Sequence, residues 1–159
     1  MFNISFLSSL GKKTELQNIN GCEVLNFCKS IGWLQECKNY YHAYRSDEHI
    51  DYEDYWYLDL SDISNGLNLN VFTNYIYEDK LYEQNLSFIV TLSWYEFEKT
   101  GWFTKLITGK HEKKVWEAKH ANNVNDNELK EIIKWFVGGD LLNLNSLLTI
   151  SGEYQFDVD

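Results

Sequence analysis

The chain lacks proline altogether and has only three alanines and one arginine among its 159 residues. Asparagine, lysine, isoleucine and tyrosine are abundant instead, which indicates an AT-rich coding sequence and says nothing about function. The single arginine, Arg45, disfavours sites that grip a phosphate or a carboxylate with guanidinium groups. Long apolar runs are also missing. The longest, near Phe88–Trp94, falls far short of the roughly 20 residues that cross a bilayer, so we expect no membrane span.

Catalytic and cofactor patterns are missing as well. The four histidines form no HExxH or HxH pattern and no other ligand spacing for a metal. Gly138–Gly139 follows a predicted helix and does not open one, so it cannot serve as a phosphate-binding loop. Glu96, at the end of an apolar strand pattern, is the best candidate for a catalytic acid, although the strand more simply reaches solvent there. The sequence therefore predicts no enzyme, no cofactor and no metal.

Three cysteines, Cys22, Cys28 and Cys37, form no CxxC pair and match no zinc-ligand spacing. Cys28 shares the apolar stripe of a predicted helix, where a thiol is more often a buried hydrophobic group than a nucleophile. No secretory signal stands in front of them. We therefore expect a reducing, cytoplasmic environment.

The length fits one domain, residues 1–159, and an aromatic content of 16% predicts a core built on Trp, Tyr and Phe. Val24, Cys28 and Ile31 lie at helical spacing and predict a helix from Gly21 to about Ile31, with Gly32 as its C-cap. Residues 33–44 predict a second short helix. The first thirteen residues form either a strand or an irregular lead-in.

A period of two then replaces the helical period. Trp56, Leu58 and Leu60 predict the buried side of a strand, "SDISNG" a turn, and residues 67–71 a second strand. Residues 86–97 are apolar on both faces and predict a central strand, because an exposed edge of that composition would aggregate. Two further segments, "WFTKLIT" and "KKVWEA", predict a hairpin or an extended arm.

The C-terminal part carries the clearest helix signal. Asn125 and Glu128 resemble a capping box, and an apolar stripe follows and ends at Gly138–Gly139. The tail from Leu147 to Phe156 suggests a short strand. Together these elements predict an α+β fold, with a mostly antiparallel sheet of about four to six strands. One or two N-terminal helices and a C-terminal helix are expected on one face of the sheet.

Charge is unevenly distributed along the chain. The net charge is −10, and residues 46–98 hold one lysine and twelve carboxylates, a net of −11. Such a surface repels phosphate backbones and anionic lipids, so we expect no direct binding to nucleic acid or membranes. It favours a basic protein partner instead. The alternative, that the acids merely solvate a loop, stays open.

Acids and aromatic side chains occur together within "SDEHIDYEDYWYLDLSD", residues 46–62. If Trp56, Leu58 and Leu60 face the core, Tyr55, Tyr57 and Asp59 share the outer face with the acids before them. Aromatic side chains supply anchoring area, and acids steer a basic partner to a fast encounter. The predicted partner-binding residues are Asp47, Glu48, Asp51, Tyr52, Glu53, Asp54, Tyr55, Tyr57, Asp59 and Asp62.

In this respect the segment resembles the small immunity proteins of bacterial contact-dependent and polymorphic toxin systems. These are typically compact cytoplasmic proteins, many of them acidic, and many bind a nuclease toxin domain at or beside its active site. The resemblance implies a monomeric inhibitor of a cognate toxin domain. A DNA-mimicking inhibitor of a host or phage nuclease fits the same composition equally well.

Two other classes of function stay open. One is a small-molecule-binding or enzymatic domain, with a pocket between sheet and helix lined by Trp94, Glu96, Trp102 and Trp116. The other is a scaffold subunit that associates with itself through aromatic side chains.

Overall fold

The structure, a computed structural model, describes the backbone of residues 1–45, 56–73, 86–99 and 112–150, and the side chains of residues 1–42, 56–73, 86–95 and 115–148. The strands in these ranges are β1 Phe2–Leu7, β2 Lys13–Ile19, β3 Tyr57–Asp62, β4 Leu67–Thr73, β5 Phe88–Lys99, β6 Glu112–Val124 and β7 Thr149–Ile150. The helices are α1 Gly21–Ser30, α2 Trp33–Arg45, α3 Asp126–Gly138 and α4 Leu141–Leu147.

All seven strands belong to one sheet in the order β2-β1-β3-β4-β5-β6-β7, and every neighbouring pair is antiparallel. The predicted α+β class is therefore confirmed. The predicted sheet had about four to six strands. Six of the described strands have six or more residues, and β7, with two residues, is a seventh. The apolar β5 lies between β4 and β6, inside the sheet as its composition predicts.

The helices pack against one face of the sheet. Phe2 and Phe6 are buried and alternate with half-buried residues on β1. The ring centroid of Phe2 lies 6.1 Å from that of Phe136 on α3, and the ring centroid of Phe6 lies 5.9 Å from that of Phe27 on α1. Residues from all four helices belong to the same core cluster as the inward-facing side chains of the strands. The predicted layering, with N- and C-terminal helices on one face, is confirmed.

Three aromatic rings form the centre of this core. Trp33 of α2 lies 5.5 Å from Phe88 of β5 at 77°, and 5.8 Å from Trp56, between ring centroids. Trp56 and Phe88 meet edge to face at 6.4 Å. Such tilted arrangements match the positive ring edge of one residue to the negative face of another. The cluster joins the second helix, the entry to β3 and the start of the central strand.

Two capping boxes are present, of which the sequence predicted the second. Asn20 accepts a hydrogen bond from the Glu23 amide at the start of α1, and Asn125 accepts one from the Glu128 amide at the start of α3. In each case the glutamate carboxylate accepts from the amide of the capping asparagine. Gly139 closes α3 in the left-handed conformation, with φ of 71°. The predicted start and end of α3 are thus confirmed.

The turn between β3 and β4 matches the "SDISNG" prediction and depends on Asp62. Its carboxylate accepts hydrogen bonds from the Ser64 amide at 2.9 Å and from Asn65 Nδ2 at 2.6 Å. Gly66 completes the turn with φ of 65°, a conformation that glycine adopts without steric cost.

Three local predictions were incomplete or wrong. Strand β2 was not predicted, and its inward-facing residues are only half-buried. Gly32 does not cap α1, because Ile31 takes the C-cap position in an extended conformation and buries its side chain. Leu147 ends helix α4 and lies outside a strand, and only Thr149–Ile150 of the tail is assigned to β7 in the described residues.

Candidate functional site

The predicted partner-binding residues fall into two groups. Three of them, Tyr57, Asp59 and Asp62, belong to β3. The others lie outside the residues that the structure describes. These are Asp47, Glu48, Asp51, Tyr52, Glu53, Asp54 and Tyr55.

The side chains of β3 alternate strictly between the two faces of the sheet. Leu58 and Leu60 are fully buried against the helices, while Tyr57 and Asp59 are half-buried on the opposite face. We call this opposite side the outer face. Its members include Asn3, Ser5, Leu7, Lys13, Glu15, Tyr57, Asp59, Ser61, Asn68, Asn70, Phe72, Ile89, Thr91 and Ser93. These side chains are half-buried or exposed, apart from Ser93, which is 2% exposed.

Asp62 does not belong to the outer face. It follows the buried positions of β3, is 5% exposed, and uses its carboxylate to hold the turn to β4. A carboxylate engaged in this way is not available to a partner, so we leave Asp62 out of the candidate surface. Asp62 was predicted as a partner-binding residue because the composition of the acidic segment does not show which way a side chain points.

The pairing register brings distant residues into one row on the outer face. Ser5 of β1 lies opposite Glu15 of β2 on one side and opposite Asp59 of β3 on the other. Asp59 in turn lies opposite Asn70, which lies opposite Thr91. Two carboxylates separated by 44 positions in the sequence therefore flank a single serine.

Asp59 is the carboxylate most removed from water in this row. Asn70 Nδ2 donates a hydrogen bond to Asp59 Oδ1 at 2.5 Å. Burial raises the pKa of Asp59 above its usual value, and the hydrogen bond from Asn70 opposes that rise. A partly desolvated carboxylate with a neutral partner is a favourable position for an incoming cation.

A depression of about 230 Å³ lies next to Asp59, between β2, β1 and β3. Glu15 lines it from β2 and also forms an exposed ion pair with Lys13 at 2.6 Å. The lining is mostly polar. It consists of Asn3, Ile4, Ser5, Glu15, Leu16, Gln17, Asp59 and Ser61. Sequence reasoning missed the contribution of β1 and β2, because it did not identify β2.

A larger cleft of about 1070 Å³ lies on the helical side, between the α1–α2 corner and α3. Trp33, Leu86 and Ile133 contribute to its apolar part, and lysines and acids of α3 to its rim. The residues predicted to line a pocket between sheet and helix are not the ones that line this cleft. Trp94 and Trp116 do not line this cleft, and the side chains of Glu96 and Trp102 lie outside the described residues.

Two of the three cysteines are buried. Cys28 and Cys37 are 6% and 1% exposed, and burial raises the pKa of each thiol to about 12. Neither is therefore suited to act as a nucleophile near neutral pH. Among the residues whose side chains are described, no three His, Cys, Asp or Glu side chains are grouped to hold a metal ion.

This burial predicts a simple labelling pattern. We expect one thiol, that of the exposed Cys22, to react promptly with dithionitrobenzoate in the native protein at pH 8. Cys28 and Cys37 should react only after unfolding in urea, because they form almost no thiolate and are out of reach. Cys22→Ser should remove the fast phase. Two or three fast thiols in the native protein would contradict the burial of Cys28 and Cys37.

Within the described ranges, the helices are too short or too polar to cross a bilayer. No protein-family model, curated protein or solved structure matches this chain significantly. The resemblance to immunity proteins thus stays a prediction from the sequence.

Proposed function

We propose that this chain is an immunity protein that neutralises a basic toxin domain by binding it with the outer face. One observation carries the proposal. The helices occupy one face of the sheet, while the other presents half-buried and exposed residues that include Tyr57, Asp59 and Phe72. The most acidic part of the sequence, residues 46–55, leads directly into β3, which supplies two of these residues.

The chemistry of this face suits a protein partner. Tyr57 and Phe72 lie opposite each other on β3 and β4, and Phe72 is 36% exposed. Aromatic side chains of this kind are frequent at the centres of protein interfaces, because they bury much area with little loss of conformational freedom. Asp59 belongs to the next pair on the same face of the sheet and places a carboxylate beside these two rings.

The overall charge supports a basic partner. A net charge of −10 attracts cationic surfaces over distances comparable to the Debye length and repels nucleic acid. A toxin domain that cleaves nucleic acid needs a basic cleft for its own substrate. An acidic inhibitor that covers this cleft uses the same electrostatic attraction. We further propose that the chain acts as a cytoplasmic monomer.

The test has two steps: whether the neighbouring gene encodes a toxin domain, and whether this chain binds that domain directly. We expect a 1:1 complex of nanomolar or tighter affinity, with full loss of toxin activity at one molar equivalent. Because acids steer the encounter, the association rate constant should fall roughly tenfold or more between 50 and 300 mM salt. Stopped-flow or biolayer measurements give this rate. An association rate that does not respond to salt, or a toxin still active with excess inhibitor, would refute the proposal.

The helical cleft supports a second candidate, a small-molecule-binding domain. Its volume of about 1070 Å³ is at the upper end of the range for ligand pockets, and Trp33 lies in its apolar part. Binding of an apolar ligand there would change the fluorescence of Trp33. The decisive comparison is between Trp33→Phe and the native protein in a titration with 8-anilinonaphthalene-1-sulfonate. An unchanged signal and affinity in Trp33→Phe would argue against this candidate.

A further inference from the structure

We propose that the depression between β2, β1 and β3 binds the guanidinium group of an arginine from the partner, with Asp59 as its carboxylate. The inference rests on the proposed function, since it names the side chain with which the toxin domain contacts the outer face. It also assigns a chemical task to residues of β1 and β2, which the sequence did not connect with the acidic segment.

The carboxylate of Asp59 can accept more hydrogen bonds than it receives from the described residues. A carboxylate accepts about four hydrogen bonds, and Asn70 supplies one, to Oδ1. Oδ2 therefore keeps its acceptor capacity on the side chain that lines the depression. Asn70 is neutral, so within the described part of the chain the negative charge of Asp59 has no cationic hydrogen-bond partner. Charge-assisted hydrogen bonds are the strong ones, and a cation at Oδ2 would form one.

Other hydrogen-bond acceptors line the depression together with Asp59. Ser5, Ser61 and Gln17 line the same depression, and each carries a side-chain oxygen that accepts hydrogen bonds. A guanidinium group has five N–H donors in a fixed plane, and an ammonium group has three. Several acceptors spread across neighbouring strands match the many donors of arginine better than the point charge of lysine.

The depression also has the size of a single side chain. A volume of about 230 Å³ admits one long side chain and excludes a folded segment of chain. Ile4 and Leu16 line it through their backbone, because their side chains follow the helix-facing positions, so the side chains around the depression are polar or charged. Glu15 adds negative charge at the rim, although its ion pair with Lys13 partly neutralises it.

The experiment uses the intact chain and N-acetyl-L-argininamide as the probe. Amide shifts in a ¹⁵N NMR titration should centre on Ser5, Gln17 and Ser61, with weak, millimolar affinity. Asp59→Asn keeps the shape of the side chain and removes its charge, so it should weaken binding roughly tenfold. N-acetyl-L-lysinamide, with the same charge, should bind at least about threefold more weakly.

Glu117→Gln is the matched control, because Glu117 is a half-buried carboxylate of β6 that follows the helix-facing positions of the sheet. It should bind the probe like the native chain. Thermal denaturation of each variant shows whether the fold is retained. Equal affinity of Asp59→Asn and the native chain would overturn the inference, and so would shifts centred away from the depression or equal binding of lysinamide.

The two proposals fail in different ways. Because the titration contains no toxin, argininamide binding at Asp59 together with no toxin binding would refute the proposed function and leave the cationic site in place. A toxin complex whose affinity is unchanged by Asp59→Asn would refute the arginine contact and leave the proposed function in place.

Discussion

Replacing Phe88 with alanine should lower the free energy of unfolding by about 3–5 kcal/mol. Phe88 is fully buried at the start of the central strand and contacts Trp33 and Trp56 edge to face. Truncation would remove these ring contacts and leave a cavity between α2 and the sheet. Urea denaturation followed by tryptophan fluorescence measures the change, since two of the surrounding rings are indoles.

Phe72→Ala is the matched control for this prediction. Phe72 lies on the neighbouring strand, opposite Ile89, but is 36% exposed on the outer face. Its truncation should cost clearly less, about 1–2 kcal/mol, because part of its ring is already exposed to water and no enclosed cavity is left behind. If both alanine variants lost the same stability, the assignment of the helical face as the core would be wrong.

The Phe88 cluster also shows why the central strand was predictable. Residues 86–95 carry no charge, and every second residue from Leu86 to Trp94 is a large apolar one, a pattern that disfavours an exposed edge of the sheet. The capping box at Asn125 is an equally local signal, because residues three positions apart make both hydrogen bonds. Where the determining contacts are short-range or strongly apolar, sequence was sufficient.

Strand β2 shows where sequence was not sufficient. It is an edge strand, and its inward positions Thr14 and Leu16 are only half-buried, so its alternation is weak. Asn18 has a φ of 56°, and the register with β1 shifts between Phe2 and Ile4. Such an irregularity interrupts the period of two on which a strand prediction depends.

The candidate site includes residues of β2, the strand that was not predicted. Asp59 and its orientation followed from the alternation of β3, but Glu15 and Gln17 reach the depression only because β2 pairs with β1. Strand order is a long-range property that no local pattern encodes. The pairing of β1 with both β2 and β3 therefore had to come from the structure.

The burial of the Asp59 carboxylate costs folding free energy. Burial raises its pKa, so its ionisation opposes folding. This cost develops as the pH rises from the pKa of the unfolded chain through the higher pKa of the folded one. A residue that weakens the free protein near neutral pH, but supplies a charge to a partner, follows the usual trade between stability and function.

The strongest expected effect on function is therefore at Asp59 and its neighbour on the outer face. Asp59→Lys combined with Tyr57→Ala should weaken toxin binding by on the order of hundredfold or more, because it replaces an attraction by a repulsion and removes an aromatic anchor. Most of the loss should appear in the dissociation rate, and the association rate should lose part of its salt dependence. Surface plasmon resonance measures both.

Glu131→Lys is the control that separates the two faces. Glu131 lies on α3 at the rim of the helical cleft and carries the same charge change in an exposed position. Its ion pair with Lys134 is a surface pair of small energetic value, so the fold should tolerate the change. A large loss of affinity in Glu131→Lys with none in the Asp59 variant would move the binding surface to the helical side. The reverse result would place the partner on the outer face, since both variants change the net charge of the chain in the same direction.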